Sequence, residues 1–266
     1  MKVAYSHQFD IDEMIKPEDV DLTSFAIKDT LNPGLWKTED KMQPKVRKAL
    51  LVIAKDFVEN LAIDWIKPED VVVTGSAANY NWDINYSDID LHIIIDTKKV
   101  SNKKDFVEKY FKDAKNEWNN RHELHIASFP VELYVQDKKE PHKAGGVYSI
   151  LTDRWLTKPD KAKLNNGKFD KKEVQNIASD LMNKIDDVEE RLKKYRADND
   201  IQSIKKLYTE ACELFDDIKN ERKKGTTKKN FEMSAENLAF KVLRRTKYIE
   251  KISNIKTTCY DIIHSY

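Results

Sequence analysis

The sequence predicts an α+β fold: an N-terminal α/β core on a mixed sheet, followed by a C-terminal helical bundle. Three observations carry this. β-Branched runs at 71–73 and 89–95 alternate with helical periodicity over the first 160 residues. After Pro159 the strand signals stop, and three long stretches carry apolar residues at three- and four-residue steps. With 266 residues the chain has room for one large domain or two modest ones, and the change of texture places a boundary at 160, giving parts 1–160 and 161–266.

Residues 1–35 lack sustained periodicity, and turn signals at Lys16-Pro17-Glu18-Asp19 and Asn32-Pro33-Gly34 mark an irregular arm. From Pro44, a residue tolerated in a first helical turn, Val46, Leu50, Ile53, Phe57 and Leu61 make one helical face. Lys67-Pro68-Glu69-Asp70 reads as a turn, Val71-Val72-Val73 as a buried strand, and Ile89 to Ile95 as a second. Ser101 is expected to cap a helix whose face is Phe106, Tyr110, Ala114 and Trp118. Extended pieces are expected near 122–127, at 129–135 with Pro130 near its start, and at 147–151 after Gly145-Gly146. In the bundle, Val174, Ile177, Leu181, Ile185, Val188 and Leu192 define one helix. Ile204, Tyr208, Ala211, Phe215 and Ile218 define a second, ending at Lys224-Gly225. Leu238, Val242, Ile249 and Ile252 define a third, capped by Ser234.

At 40% hydrophobic and 10% aromatic residues the chain is no disordered polymer. Cys212 and Cys259 are too few for a disulfide framework or a cysteine-built zinc site, and they suit a reducing cytosol. No apolar run approaches the ~18 residues of a membrane span, and the start, Met-Lys-Val-Ala-Tyr-Ser-His-Gln, lacks the apolar stretch of a secretory signal. A soluble cytoplasmic protein with no membrane partner is expected. The balance of 47 basic and 46 acidic residues conceals an asymmetry: 23 basic against 28 acidic up to residue 160, then 24 against 18. An acidic first part suits a metal, and a basic second part suits polyphosphate.

The segment 71–95 reads VVVTGSAANYNWDINYSDIDLHIII. The Gly75-Ser76 turn after the first strand leaves backbone N–H groups and a hydroxyl for a phosphate. Alternate side chains of a strand share a face, so Asp88 and Asp90 point together while Ile89 and Leu91 point into the core. Two carboxylates that close repel unless a cation lies between them. An all-oxygen pair favours Mg²⁺ or Mn²⁺ over zinc. A third acid is then needed, and Glu132 fits, alone among Val131, Leu133, Tyr134 and Val135. Asp137 and Glu123 are the alternatives.

This combination resembles the DNA polymerase β-like nucleotidyltransferase superfamily. Its signature is a Gly-Ser turn, an Asp-x-Asp at a strand and an acid on a neighbouring strand, and Gly75, Ser76, Asp88, Asp90 and Glu132 match it position by position. The stretch Leu31-Asn32-Pro33-Gly34-Leu35-Trp36 and the helix from Pro44 are also similar to uncharacterised nucleotidyltransferases encoded by large tailed phages, which implies a host cytoplasm. The resemblance implies a nucleotidyltransferase-type α/β core and transfer of a nucleoside monophosphate from an NTP such as ATP to a hydroxyl acceptor, with release of pyrophosphate. It also implies two Mg²⁺ (or Mn²⁺) ions held by Asp88, Asp90 and Glu132, in a cleft between the two parts. One such site serves RNA ends, nucleotides, small molecules or protein side chains as acceptor, and the basic second part inclines the expectation to RNA. Many members read GSxxRG where this chain reads Gly-Ser-Ala-Ala-Asn-Tyr, so donor contacts beyond the Gly-Ser turn do not carry over.

Residues 221–251 hold ten basic and four acidic groups, among them Arg222-Lys223-Lys224, Lys228-Lys229, Lys241, Arg244, Arg245, Lys247 and Lys251. Lys241, Arg244, Arg245 and Tyr248 are expected to share a face of the last helix. One reading is a grip on triphosphate or nucleic acid, with Lys241 and Arg245 as nucleotide contacts; the other is a solvated lysine-rich surface. An EF-hand is excluded, because Asp88 stands where its loop needs glycine and Ile94 where it needs glutamate. His122 and His125 lack further zinc ligands. His92 shares the Asp face and reads as a strand residue ahead of a phosphate contact. Asn79, Tyr80, Trp82 and Tyr86 either stack on a base or pack, and 147–151 with Arg154 and Trp155 reads as structural. The rival to an enzyme is a nucleotide- or RNA-binding module that keeps the fold without turnover.

Overall fold

The computed structural model describes residues 14–61, 63, 65–166, 169–225 and 231–265. They form two compact units, one Ser24–Asn166 and the other drawn from Met1–Thr23 with Gly167–Tyr266. The first is α+β and the second helical.

The α+β unit runs β1 (Trp36–Thr38), β2 (Lys41–Met42), α1 (Pro44–Asn60), β3 (Asp70–Thr74), β4 (Ile89–Ile95), α2 (Lys104–Arg121), β5 (His125–Ile126), β6 (Phe129–Asp137), β7 (Val147–Ser149), β8 (Arg154–Thr157) and α3 (Lys161–Asn166). Six strands make one sheet in the order β5-β6-β4-β3-β7-β8. Only β4 and β6 pair in parallel, which makes the sheet mixed. Their connection contains α2, as a parallel pair requires a crossover.

Burial follows the two-residue period. On β4, Ile89, Leu91, Ile93 and Ile95 are buried while Asp90 and His92, on the other face, are partly exposed. Each buried aliphatic contributes roughly 1.5–3 kcal/mol. On β6, Phe129, Val131 and Leu133 are buried while Glu132 and Tyr134 alternate with them on the opposite face. Ala127 and Ser128, both at positive φ, make the two-residue turn between β5 and β6.

Two expectations about α2 are corrected. Lys103, not Ser101, is the residue at its start; Ser101 Oγ accepts from the Lys103 amide at 3.2 Å in the preceding turn. The buried face is Val107 and Phe111, and Phe106 is 63% exposed. The aromatic spacing is helical but one residue out of phase with the face that packs. Tyr110 donates to the Leu61 carbonyl at 2.8 Å, and the Trp118 and Phe57 rings pack edge to face with centroids 5.5 Å apart. The β1–β2 hairpin and β8 are too short for periodicity to reveal. They meet in an aromatic cluster, with Trp36 stacked on Trp155 (4.5 Å) and edge-on to Tyr148 (4.9 Å).

The helical unit holds α4 (Lys171–Ala197), α5 (Ile201–Gly225), α6 (Ala235–Arg245) and α7 (Tyr248–His264). Asp170 caps α4 through the amides of Lys172 and Glu173, and Ser234 caps α6 through that of Asn237. The expected third helix is two, because the chain breaks at Thr246-Lys247. Lys247 sits at φ 64°, and the Thr246 amide and Oγ1 both donate to the Val242 carbonyl, each at 2.9 Å. Tyr248 therefore starts α7 and does not continue the face of Lys241, Arg244 and Arg245. Part of the expected arm docks on α4. Asn183 exchanges two 2.9 Å bonds with the backbone of Ile15, and Gln175 donates to the Val20 carbonyl at 3.1 Å. The first stretch of the arm, residues 1–13, and Lys228-Lys229 lie outside the described residues. Among the described residues no helix is long and apolar enough to cross a membrane.

Candidate metal centre

β3 ends at Thr74, and the chain turns at Gly75 (φ 74°, ψ −159°) into a short 3-10 segment, Ser76–Ala78. This conformation is essentially reserved for glycine. A Cβ there would stand 2.0 Å from Asp90 Oδ2, so the turn passes directly beneath that carboxylate. Two elements distant in sequence brace the turn. Trp36 Nε1 donates to the Ala77 carbonyl at 2.8 Å, and Gly146 lies so close that a Cβ on it would be 1.9 Å from the Ala78 carbonyl oxygen. The Ser76 and Ser87 hydroxyls are bonded at 2.8 Å, and Ser87 Oγ accepts from the Asp83 amide at 2.9 Å. The loop is thus pinned to its own start just before it delivers Asp88.

Register completes the site. Asp90 pairs with Thr74 on β3 and with Glu132 on β6. One carboxylate oxygen from each of Asp88, Asp90 and Glu132 lies within 4.8 Å of the other two, and all three residues are partly buried. Three anionic groups this close raise one another's free energy unless a cation intervenes. The all-oxygen donor set fits a hard divalent ion. Of the three acids that the sequence offered beside the Asp pair, Glu132 is the one that joins it. Asp137, at the far end of β6, accepts from the Thr97 amide and hydroxyl and from the Lys139 amide.

A row of side chains supports Glu132. The Tyr134 hydroxyl donates to Glu132 Oε2 at 2.6 Å, and the Tyr134 ring stacks on His92 with centroids 4.9 Å apart. Lys115 Nζ sits 4.5 Å from the centroid of that ring, and His92 Nδ1 is bonded to Gln136 Oε1 at 2.9 Å. Burial pushes the Tyr134 phenol pKa up, helped by its bond to Glu132 and by the charges of Asp90 and Asp88. The phenol therefore stays a donor. Burial lowers His92 to about 4, leaving a neutral ring. His92 is a packing residue of the strand. Tyr134 was missed in the sequence, although its two-residue spacing from Glu132 puts both on one face.

Tyr80 and Trp82 of the loop are tied to neighbouring segments. Tyr80 donates to the Glu39 carboxylate, and burial with that bond raises its pKa to about 12. Trp82 Nε1 donates to the Thr30 carbonyl at 2.9 Å, while Tyr86 remains 44% exposed. Lys241 and Arg245 belong to α6 of the helical unit. Burial pushes the Lys241 ammonium down, with Arg245 and Arg244 adding to the effect and Glu232 opposing it. Several neighbours are engaged within that unit. Arg222 lies 4.3 Å over the Phe240 ring, and Lys251 pairs with Asp186 (2.6 Å) and Glu189 (3.0 Å).

No family model and no curated protein matches the chain. Among solved structures it is similar to the STING-associated CdnE c-di-GMP synthase from Capnocytophaga granulosa, at 13% identity over 84% of each chain and a TM-score of 0.22. A likeness of that size leaves the reading of the site to its own residues.

Proposed function

We propose that this protein is a metal-dependent nucleotidyltransferase that moves a nucleoside monophosphate from an NTP to a hydroxyl acceptor and releases pyrophosphate. The observation that carries the reading is the convergence of Asp88, just before β4, with Asp90 and Glu132 on paired strands, beside the Gly75-Ser76 turn. Asp88 and Asp90 would hold Mg²⁺ or Mn²⁺ against the triphosphate, and Glu132 would complete the ligands on the acceptor side. When bound, the ions supply Lewis-acid stabilisation of the attacking and leaving oxygens at the α-phosphorus. Tyr134 fixes the rotamer of Glu132 and takes up one of its lone pairs, leaving the other oxygen to the site. The backbone after Gly75 offers N–H groups to the phosphates. Lys241 and Arg245 are proposed as further nucleotide contacts, and RNA, favoured by the basic segment, is the first acceptor class to try.

Purified protein with Mg²⁺ or Mn²⁺ is incubated with each NTP, labelled in parallel at the α or γ phosphate, and with RNA or protein extracts as separate acceptor pools. Transfer of α label alone, lost in Asp90→Ala, is expected. Transfer of γ label would replace the proposal with a kinase. Saturable metal-dependent NTP binding without transfer to any pool would replace it with a binding module.

A further inference from the structure

A cavity of about 700 Å³ opens between α2 and β6, a volume in the range of small-ligand sites. It lies at the C-terminal ends of the parallel pair, bordered by Thr97 just after β4 and Asp137 at the end of β6. The carboxylate triad lies toward the start of the same strands. Asp90 and Ile95 are five residues apart on β4, about 16 Å along an extended chain. The cavity therefore opens toward the strand ends and adjoins the triad through Tyr134.

Its lining is cationic. Lys98, Lys104, Lys112, Lys115 and Lys139 border it, against the carboxylates of Glu108, Asp137 and Glu140. Among the described residues only one of the five is in an ion pair, Lys104 with Glu108 at 3.3 Å. Asp137 is occupied by the amides and hydroxyl of Thr97 and Lys139. Like charges gathered around one low-dielectric concavity raise the local potential and concentrate anions there. The wall beneath them is apolar, formed by Val107, Phe111, Val135 and Pro141. That combination suits a compact anion carrying a less polar body.

We propose that this cavity is a binding site for a small phosphate-bearing molecule, distinct from the metal centre and independent of metal. Lys112 and Lys115, one turn apart on α2, face the phosphate from one side, with Lys139 after β6 opposite them. Tyr134 borders both places: its ring lines the cavity beneath Lys115 while its hydroxyl reaches Glu132. The inference does not depend on nucleotidyl transfer, because its test needs neither metal nor turnover.

Calorimetric titration of the full chain in EDTA at low salt, with inorganic pyrophosphate and with AMP as probes, tests it. Saturable binding of at least one probe is expected. It should weaken about tenfold or more in Lys112→Glu/Lys115→Glu, as expected for losing charge-assisted bonds. Lys171→Glu/Lys172→Glu, an equal charge change elsewhere, should leave it unchanged. Lys115→Arg should retain most of the affinity, separating charge from folding. AMP binding where pyrophosphate does not would show that the apolar wall contributes. No binding of either probe, equal loss in the Lys171/Lys172 control, or binding lost in Asp90→Asn but kept in the lysine variants would overturn the proposal. So would tighter binding of a single-stranded oligonucleotide through the same lysines, which would make the cavity part of a nucleic-acid surface.

Discussion

Replacing Gly75 with alanine perturbs the site in two separable ways. The backbone at φ 74° and ψ −159° lies where an L-residue is strained, at a cost of about 1–3 kcal/mol. The new Cβ would also stand 2.0 Å from Asp90 Oδ2, and real Cβ contacts begin near 3.0 Å, so the carboxylate must retreat by about 1 Å. Asp90 Cβ is 3.6 Å away and need not move, so the side chain swings and leaves Asp88 and Glu132 behind. The backbone part predicts a melting temperature lower by about 3–10 °C for a unit of this size. Displacement by ~1 Å predicts a loss of activity of about 100-fold and weaker Mn²⁺ binding, measured by electron paramagnetic resonance titration. A double-mutant cycle separates the parts. Adding Asp90→Ala to Gly75→Ala should return some stability, because the clash is gone, while the backbone cost remains. Melting within a degree of the parent with unchanged Mn²⁺ affinity, or strictly additive stabilities in the cycle, would refute the geometry.

Further outcomes follow from neighbouring residues. Asp88→Asn or Asp90→Asn should raise the melting temperature of metal-free protein by relieving repulsion among the three carboxylates, while abolishing stabilisation by added Mn²⁺; a metal-free protein left less stable would contradict that. Tyr134→Phe removes the hydroxyl bonded to Glu132 and should cost about tenfold in activity, with a higher Mn²⁺ requirement, read from rate against metal concentration. Gly146→Ala should destabilise the α+β unit by about 1–3 kcal/mol in urea unfolding, because its Cβ meets the fixed Ala78 carbonyl rather than a flexible side chain. Asp153 is held below the usual carboxylate range by the Tyr148 hydroxyl, then by Lys41 and Arg47. Its contribution is therefore present above the unfolded value of 3.8 and lost as pH falls through the lower folded value. Asp153→Asn, which tolerates the positive φ there, should cost about 1 kcal/mol near neutrality after solvent screening, and the difference should vanish in strong acid. A difference that persists at pH 2 would show that the charge is not the cause.

Much of the site can be read from local pattern. The shared face of Asp88 and Asp90 follows from the two-residue period of a strand, and the run Ile89 to Ile95 is apolar enough to fix which face is buried. Glycine before a serine after three valines marks the turn, whatever surrounds it. The choice of Glu132 over Asp137 and Glu123 is different in kind. It depends on the register between β4 and β6, strands separated by a helix and a hairpin, and sliding that pairing by two residues would set another side chain beside Asp90. The phase of α2 was likewise settled by contact. Phe106 and Val107 both fit helical spacing, and only packing decides that Val107 turns inward.

The sequence by itself determined the longer strands and helices of the α+β unit, the paired aspartates and the glycine turn, because each rests on backbone geometry within a few residues. The tertiary structure alone decided that Trp36 and Gly146 brace that turn, that Tyr134 holds Glu132, and that α6 and α7 part at Lys247. Those are contacts between segments whose separation along the chain carries no periodic signal. They exist only once burial of the sheet's apolar face has brought the segments together.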